Sequence, residues 1–139
     1  MRTTLEIRTP GRGLLEITSE LRSAVRESGI EEGTCLVYMP HTSASLVVQE
    51  NADPSARRDL EAFFDRLVQD GDPAFEHTAE GPDDMPAHIR AALTHTSESF
   101  IVSQGDLLLG TWQGVFLFEH RRRPHRRVLE LVISSAVDR

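Results

Sequence analysis

The chain has a single cysteine, Cys35, and no lysine, since all fifteen of its basic residues are arginine. One cysteine excludes an intramolecular disulfide and favours a reducing compartment. Without lysine, a Schiff base or any other covalent step on a lysine amine is excluded. Cys35 lies in the apolar run 35–39, where a cysteine usually packs in the core, so we interpret it as a core residue and not as a nucleophile.

No apolar run in the sequence approaches the roughly 18–20 residues that a membrane-spanning helix needs. Residues 1–9 alternate polar and apolar side chains and lack the apolar centre of a secretion signal. The formal net charge of −7 weighs against nucleic-acid binding, because a phosphate backbone selects basic surfaces. These absences predict a cytoplasmic protein that has neither nucleic acid nor a membrane as a partner.

The length and the periodicity of the sequence predict one α+β domain over residues 1–139. Alternating or β-branched apolar runs predict strands at 3–9, 34–39, 45–49, 100–103, within 105–120 and at 126–134. Helical spacing and start and stop signals predict three helices, which extend from Thr18 or Ser19 to Gly29, from Asp53 to about Gln69, and from Pro86 to Leu93.

Buried faces are predicted for each of these helices. In the first, Leu14, Leu15 and Ile17 lead into the helix, Thr18 or Ser19 caps it, and the buried stripe comprises Leu21, Ala24 and Val25. The second is expected to bury Leu60, Phe63, Phe64, Leu67 and Val68. The third is expected to turn Ile89 and Leu93 inward.

The segment Gly105–His120 organises the predicted fold, because it is the longest apolar strand and ends on Glu119 and His120. Its apolar run is interrupted by Thr111, Gln113 and a glycine around Trp112, which packing alone does not require. A tryptophan in a strand is nevertheless most often a core residue.

Two other groups of polar residues are expected to meet this strand. One comprises His41, Thr42, Ser43, Asn51 and Asp53, and the other comprises His77, Asp83, Asp84 and His88. Several members also have ordinary explanations, since Asp53 and Asp84 suit helix caps while His77, His95 and His125 suit a solvated surface. Three groups that each carry a histidine and a carboxylate favour a shared polar site.

Two kinds of chemistry suit such a site. Histidines with carboxylates can bind a divalent metal, and the lack of a close HxH or HExxH pair means that distant segments must assemble it. Alternatively, a histidine oriented by a carboxylate can act as general acid or base. Arginines 57, 58, 121, 122 and 123 could hold a phosphate, although most of them suit solvated faces. Walker-type, GxGxxG and GxSxG motifs do not occur in the sequence.

Four strings of the sequence resemble the YjbQ family: HTSAS at 41–45, ENADP at 50–54, HTAEGPDDMPAHI at 77–89 and GxxxxGTWQGVFLFEHR at 105–121. The resemblance extends from residue 2 to residue 134. It implies an α+β fold, an antiparallel β-sandwich with two to three helices packed against it, assembled as a homotrimer with polar clefts near subunit boundaries. It also implies a weak or secondary thiamine-phosphate synthase activity, which joins an aminopyrimidine pyrophosphate to a thiazole phosphate and releases pyrophosphate.

The resemblance suggests roles for individual residues. The catalytic set is expected to be His41, His88, His120, Asp53, Asp84 and Glu119. The substrate-binding set is expected to be Asn51, Asp83, Thr111, Trp112, Gln113 and His77. A divalent metal, Mg²⁺ or Zn²⁺, is expected to have His41, His88 and His120 as candidate ligands. Two alternatives use the same residues: a protein that binds a metal and an anion without turnover, and a metal-dependent hydrolase of a phosphorylated metabolite.

Overall fold

The structure, a computed structural model, describes residues 1–136, which form three α-helices and eight β-strands. The strands are β1 (Arg2–Thr9), β2 (Gly13–Glu16), β3 (Gly33–Tyr38), β4 (Ala44–Glu50), β5 (Ser97–Ser103), β6 (Asp106–Leu107), β7 (Gln113–Glu119) and β8 (His125–Ser135). The helices are α1 (Thr18–Ser28), α2 (Pro54–Leu67) and α3 (Asp84–Leu93).

The strands form two antiparallel sheets, which confirms the predicted α+β fold. The larger sheet has the order β1-β8-β3-β5-β6 and the smaller has the order β2-β7-β4. At the junction of β3 and β8 the backbones approach closely, because a Cβ on Gly33 would lie 1.9 Å from the carbonyl oxygen of Ser134. Only glycine fits at that position without moving the strands.

Strand β7 lies between two apolar layers. On one face Val115 and Leu117 join the main core between the sheets, where Cys35 is also buried as expected. On the other face Phe116 and Phe118 pack against Phe64 of α2. Because both faces of β7 are covered, the polar residues that end it, Glu119 and His120, are buried too.

The helix boundaries agree with the sequence patterns at several positions. Asp53 caps α2 by accepting a hydrogen bond of 2.9 Å from the backbone N–H of Ser55, and Pro54 occupies the first helical position. Gly29 ends α1 in the left-handed conformation with φ of 71°. Leu21 and Val25 of α1 are fully buried.

Other predictions about the helices are wrong. Neither Thr18 nor Ser19 caps α1, since Ile17 occupies the cap position and no side chain bonds there. Phe63, Leu67 and Leu93 are 49%, 55% and 56% exposed, because the helices bury narrower stripes than the apolar letters suggest. Helix α3 begins at Asp84, two residues before Pro86.

Two strand predictions also need correction. Residues 13–16 form strand β2 and pair with β7, whereas the sequence pattern predicted that this segment leads directly into the first helix. The long strand expected within 105–120 is divided into β6 and β7, and Trp112 lies between them with 64% of its surface exposed. Across residues 1–136, no helix has both the length and the apolarity to cross a membrane.

Candidate functional site

Three side chains from α3 and the loop before it form a compact cluster, which we call the Asp84 centre: His77, Asp84 and His88. Asp84 and His88 are four residues apart in α3 and therefore lie on one helix face. The Oδ2 atom of Asp84 is 2.7 Å from Nε2 of His77 and 3.0 Å from Nε2 of His88. Asp84 is almost fully buried, whereas the two imidazoles are partly exposed.

The hydrogen-bond partner of His88 determines its tautomer. Nδ1 of His88 lies 2.9 Å from the carbonyl oxygen of Thr42, which can only accept, so Nδ1 carries the hydrogen. In the neutral ring, Nε2 then presents a lone pair to the carboxylate of Asp84, another acceptor. Two acceptors at this distance attract each other only when a proton or a metal cation lies between them. Metal-binding histidines are commonly oriented by a carbonyl in this way.

The carboxylate of Asp84 is held in its charged form. Burial alone would raise its pKa, but the hydrogen bond from His77 and the positive charges of His88 and Arg121 bring the pKa below its ordinary value. Nη1 of Arg121 donates to Oδ1 of Asp84 at 2.6 Å, while its Nε donates to Asp83 at 3.1 Å. Arg121 therefore orients the two adjacent carboxylates.

The donor set of the Asp84 centre fits a divalent metal. The candidate ligand atoms of its three residues all lie within 4.8 Å of one another. A tetrahedral zinc site places its ligand atoms about 3.3 Å apart and commonly combines two imidazoles, one carboxylate and an open fourth position. Imidazole is a good ligand for zinc and a poor one for magnesium, so the residues fit Zn²⁺ better than Mg²⁺.

A cleft of about 420 Å³ opens beside His88. It is lined by His41, Thr42, His88, Ala91, Ala92 and Thr96. This volume lies within the range of roughly 300–1,000 Å³ that is usual for small-molecule sites. A molecule in the cleft would lie next to the Asp84 centre.

His41 lines the same cleft. Its Nε2 lies 3.1 Å from the backbone nitrogen of Val128 and 3.2 Å from the carbonyl oxygen of the same residue, so it can accept from the N–H in one tautomer or donate to the carbonyl in the other. Burial and the charge of Arg127 lower the pKa of His41, so its ring is neutral at pH 7. Because Val128 occupies Nε2, Nδ1 is the nitrogen of His41 left for a ligand or a metal, and the role of His41 as a metal ligand stays a prediction.

Glu119 lies in a buried network on the inner side of β7, which we call the Glu119 network. Its carboxylate accepts hydrogen bonds from Arg127, from Oγ1 of Thr9 at 2.7 Å and from the backbone N–H groups of His120 and Arg121. Burial would raise its pKa, but the bonds from Arg127 and Thr9 outweigh burial and lower the pKa. These partners leave Glu119 no free oxygen to offer to the cleft.

His120 is also buried, on the opposite face of β7. Its Nε2 lies 2.8 Å from Oγ of Ser45, and its ring lies 4.4 Å from the ring of Phe118. Burial, together with the positive charges of Arg90, Arg12 and Arg127, lowers the pKa of His120 to about 3. His120 is therefore neutral and has no access to the cleft within the chain.

The remaining predicted site residues lie at the other end of β7. Asn51 donates to Glu16 at 2.9 Å, Gln113 accepts from the backbone N–H of Gly110 at 2.8 Å, and Asp53 caps α2. Thr111, Trp112 and Gln113 are exposed. Six residues of extended strand separate Gln113 from Glu119, a distance of roughly 20 Å. Within one chain, the three predicted groups therefore do not form a single site, and the roles proposed for these residues stay predictions.

Sequence reasoning missed Arg127, although a signal for it was present. Arg127, Leu129, Leu131 and Ile133 alternate along β8 and share its buried face. A charged residue in phase with a buried stripe indicates a buried partner, which here is Glu119. No comparable signal in the sequence identified Thr42 as the residue whose carbonyl orients His88.

Comparisons with known proteins agree on one family. The family model described as UPF0047 protein YjbQ-like matches residues 3–135. The chain is 50% identical over 133 residues to the UPF0047 protein of Synechocystis sp., covering 96% of this chain and 90% of the relative. It is 40% identical over 119 residues to UPF0047 protein YjbQ of Escherichia coli O157:H7, covering 85% and 86% of the two chains.

Solved structures share the fold. A hypothetical protein from Aeropyrum pernix K1 superposes with a TM-score of 0.87 at 26% identity, covering 97% of this chain and 98% of that chain. A conserved hypothetical protein from Thermus thermophilus superposes with a TM-score of 0.85 at 32% identity, covering 95% and 99%. These names state no reaction, so the reaction has to be argued from the site.

Proposed function

Since the chain belongs to the UPF0047 YjbQ-like family, whose members are named for no reaction, we propose a function from the Asp84 centre itself: a metal-dependent hydrolase of a small phosphorylated metabolite. The observation that carries the proposal is the orientation of His88. Its Nδ1–H is bonded to the Thr42 carbonyl, and its Nε2 faces a buried, charged carboxylate beside a cleft, where a metal can take the place of a proton between the two atoms.

The residues of the centre have distinct tasks in this proposal. His77, Asp84 and His88 would hold the metal, and Arg121 is a positioning residue because it fixes the carboxylate of Asp84. A divalent metal there would supply Lewis-acid polarisation of a phosphoryl oxygen. His41 lines the cleft, and its Nδ1, which Val128 does not occupy, would contact the ligand.

The donor set favours hydrolysis over the transfer reaction that the family resemblance implies. Pyrophosphate departure is usually assisted by Mg²⁺, which prefers carboxylates and water, whereas this centre supplies two imidazoles. Thiamine-phosphate synthase activity stays a prediction, and it is tested beside hydrolysis. A protein that binds the metal and an anion without turnover is the third outcome of the same experiment.

The test measures metal binding and turnover on untagged protein, because a histidine tag would bind metal itself. We expect the purified chain to retain about one Zn²⁺ per protomer in equilibrium dialysis and to release phosphate from one or more phosphate monoesters. His88→Ala should lose both the metal and the activity. His95→Ala is the matched control, because His95 is an exposed histidine paired with Glu98 outside the centre.

The two readouts separate the alternatives. Metal bound without phosphate release from any ester would leave the binding protein as the function. Thiamine phosphate formed from its two precursors, and lost in His88→Ala, would replace the hydrolase with the synthase. Equal metal content in His88→Ala and the wild type would show that the Asp84 centre is not the metal site. The homotrimer implied by the resemblance also stays a prediction, which light scattering would check.

A further inference from the structure

A second polar pocket lies on the far side of α3 from the Asp84 centre. We propose that Arg12, Arg90 and Arg122 form a binding site there for a small tetrahedral oxyanion, either free inorganic phosphate or the phosphate group of a monoester. We call it the arginine pocket. This inference does not depend on the proposed function, because it uses different residues.

The arginine pocket is small and polar. Its volume is about 150 Å³, and its lining includes the three arginines, Glu61, Asp65 and Phe118. Two neighbouring clefts of about 360 Å³ each share Arg12 and Arg122 with it. A phosphate group fits the inner pocket, and the organic part of a monoester would have room in a neighbouring cleft.

Arg90 supplies the strongest evidence for a missing ligand. Its side chain is only 1% exposed, an unusual state for an arginine. Both hydrogens of its Nη2 are used, by Oδ1 of Asp65 at 3.2 Å and by the carbonyl of Val68 at 2.9 Å. Its Nε, also buried, has no hydrogen-bond partner among residues 1–136. A buried N–H without a partner is costly, and a bound anion would remove that cost.

Three acids, Glu61, Asp65 and Asp70, lie beside the three arginines, so the pocket concentrates charged donors without a net charge. Three arginines face two acids in its lining, and one of these acids, Glu61, already accepts from the backbone N–H of Leu14 at 3.2 Å. Asp70, in the neighbouring cleft, is held by two bonds from Arg12 and by one from Arg122. Nε of Arg90 is the buried N–H that these acids leave without a partner in the described part of the chain, and guanidinium groups that converge on one pocket can bind phosphate bidentately.

The pocket is distinct from the Asp84 centre. His88 and Arg90 are two residues apart in α3, which places their side chains about 200° apart around the helix axis. His88 faces the loop that contains Thr42, whereas Arg90 faces Asp65 of α2. Metal bound at one face therefore does not contact the arginines at the other.

The first test titrates inorganic phosphate into metal-free protein at constant ionic strength, with the Nε–H resonance of Arg90 as the readout. We expect a saturable shift of that resonance. Arg122→Gln should weaken phosphate binding about threefold to tenfold, because it removes one exposed charged donor. Arg123→Gln is the control, since it removes the same charge from the same turn but does not line the pocket, and it should leave the affinity unchanged.

A gain of affinity provides a test that does not depend on a damaged fold. Asp65→Asn removes a negative charge from the lining and weakens the hydrogen bond that holds Nη2 of Arg90, so phosphate should bind several-fold more tightly. Asp59→Asn, at an exposed acid elsewhere on α2, should have no such effect. Equal effects of Asp65→Asn and Asp59→Asn would indicate general charge screening and would overturn the proposal.

Further arms identify the source of the anion and separate this site from the Asp84 centre. Glycerol phosphate that binds more tightly than inorganic phosphate would identify a monoester, and the reverse order would identify the free ion. Phosphate binding should survive in His88→Ala without metal, even if the proposed hydrolase activity is never found. Loss of phosphate binding on metal removal, or no saturable shift at Arg90, would refute the arginine pocket.

Discussion

The Glu119 network and the Asp84 centre contain the same kinds of side chains. They differ in how much of their hydrogen-bonding capacity is taken up by other groups of the chain. Each contains a buried carboxylate, an arginine and nearby histidine. In the Glu119 network, the carboxylate is saturated by Arg127, Thr9 and two backbone N–H groups. In the Asp84 centre, the carboxylate faces two partly exposed imidazoles beside a cleft.

This difference separates structural from functional polar groups. A carboxylate whose partners all come from the chain contributes to stability, because every lone pair already has a donor. A carboxylate whose partners are partly exposed imidazoles beside a cleft can still take part in binding something from outside. Being rich in histidine and acid is therefore a weaker indicator of function than the count of donors and acceptors that the fold leaves unpaired.

The largest expected effect is on stability, from Glu119→Gln. The change leaves Arg127 buried and without its charge partner, and breaking a buried ion pair costs about 3–5 kcal/mol. Urea unfolding should show this loss, while metal binding at the Asp84 centre persists in the protein that remains folded. Glu6→Gln is the matched control, since Glu6 pairs with Arg126 at 2.7 Å on the exposed side of the sheet and should matter far less.

The distinction between a structural Glu119 network and a functional Asp84 centre would be wrong if Glu119→Gln removed the metal without reducing stability. In that case the network would be part of the functional site, as the sequence predicted. An equal loss of stability from Glu119→Gln and Glu6→Gln would show that burial does not distinguish the two pairs.

The second largest expected effect is a loss of metal affinity at the Asp84 centre in Arg121→Gln. Arg121 orients the carboxylate of Asp84 without being a candidate ligand, and removal of such a supporting group usually lowers metal affinity about 10–100-fold. Stability should also fall, but by less than in Glu119→Gln, because the carboxylate of Asp84 keeps its bonds to His77 and His88. Competition with a zinc chelator measures the affinity, and Arg123→Gln serves as the control for loss of one positive charge.

The sequence predicted the elements of the fold better than the site. Periodicity predicted all three helices and six strands within residues 1–136, one of which is divided into β6 and β7, because alternation and helical spacing reflect local burial. It missed β2, which has only four residues and is a strand because it pairs with β7. Pairing partners are distant in sequence, so a short strand carries little local signal.

The part of the candidate site that the sequence predicted is the part whose residues are close together in the chain. His77, Asp83, Asp84 and His88 are close in sequence, and the structure places them together with Arg121. His41 reaches the neighbouring cleft through the turn after β3. The residues at Asn51 and Trp112 were grouped with these by residue type alone, and only the fold shows that β7 separates them. Burial of Glu119 and His120 depends on both layers that cover β7, which no local pattern reveals.

The smallest expected effect is a pH dependence of stability due to His120. Its pKa is about 3 in the folded protein and 6.5 in the unfolded chain, so below pH 6.5 the unfolded state binds a proton that the folded state does not. The stabilisation is therefore fully present above pH 6.5 and is lost as the pH falls towards 3. Between pH 7.5 and pH 5.5 the loss should be about 1.4 kcal/mol, measured by urea unfolding at each pH.

The control is His120→Gln, which cannot titrate at this position. Over the same pH interval its stability should fall by about 1.4 kcal/mol less than that of the wild type, whatever its stability at pH 7.5. Parallel curves for the two proteins would mean that His120 is protonated in the fold and has an acceptor there, which would make it an accessible residue of a site and not part of the buried structure.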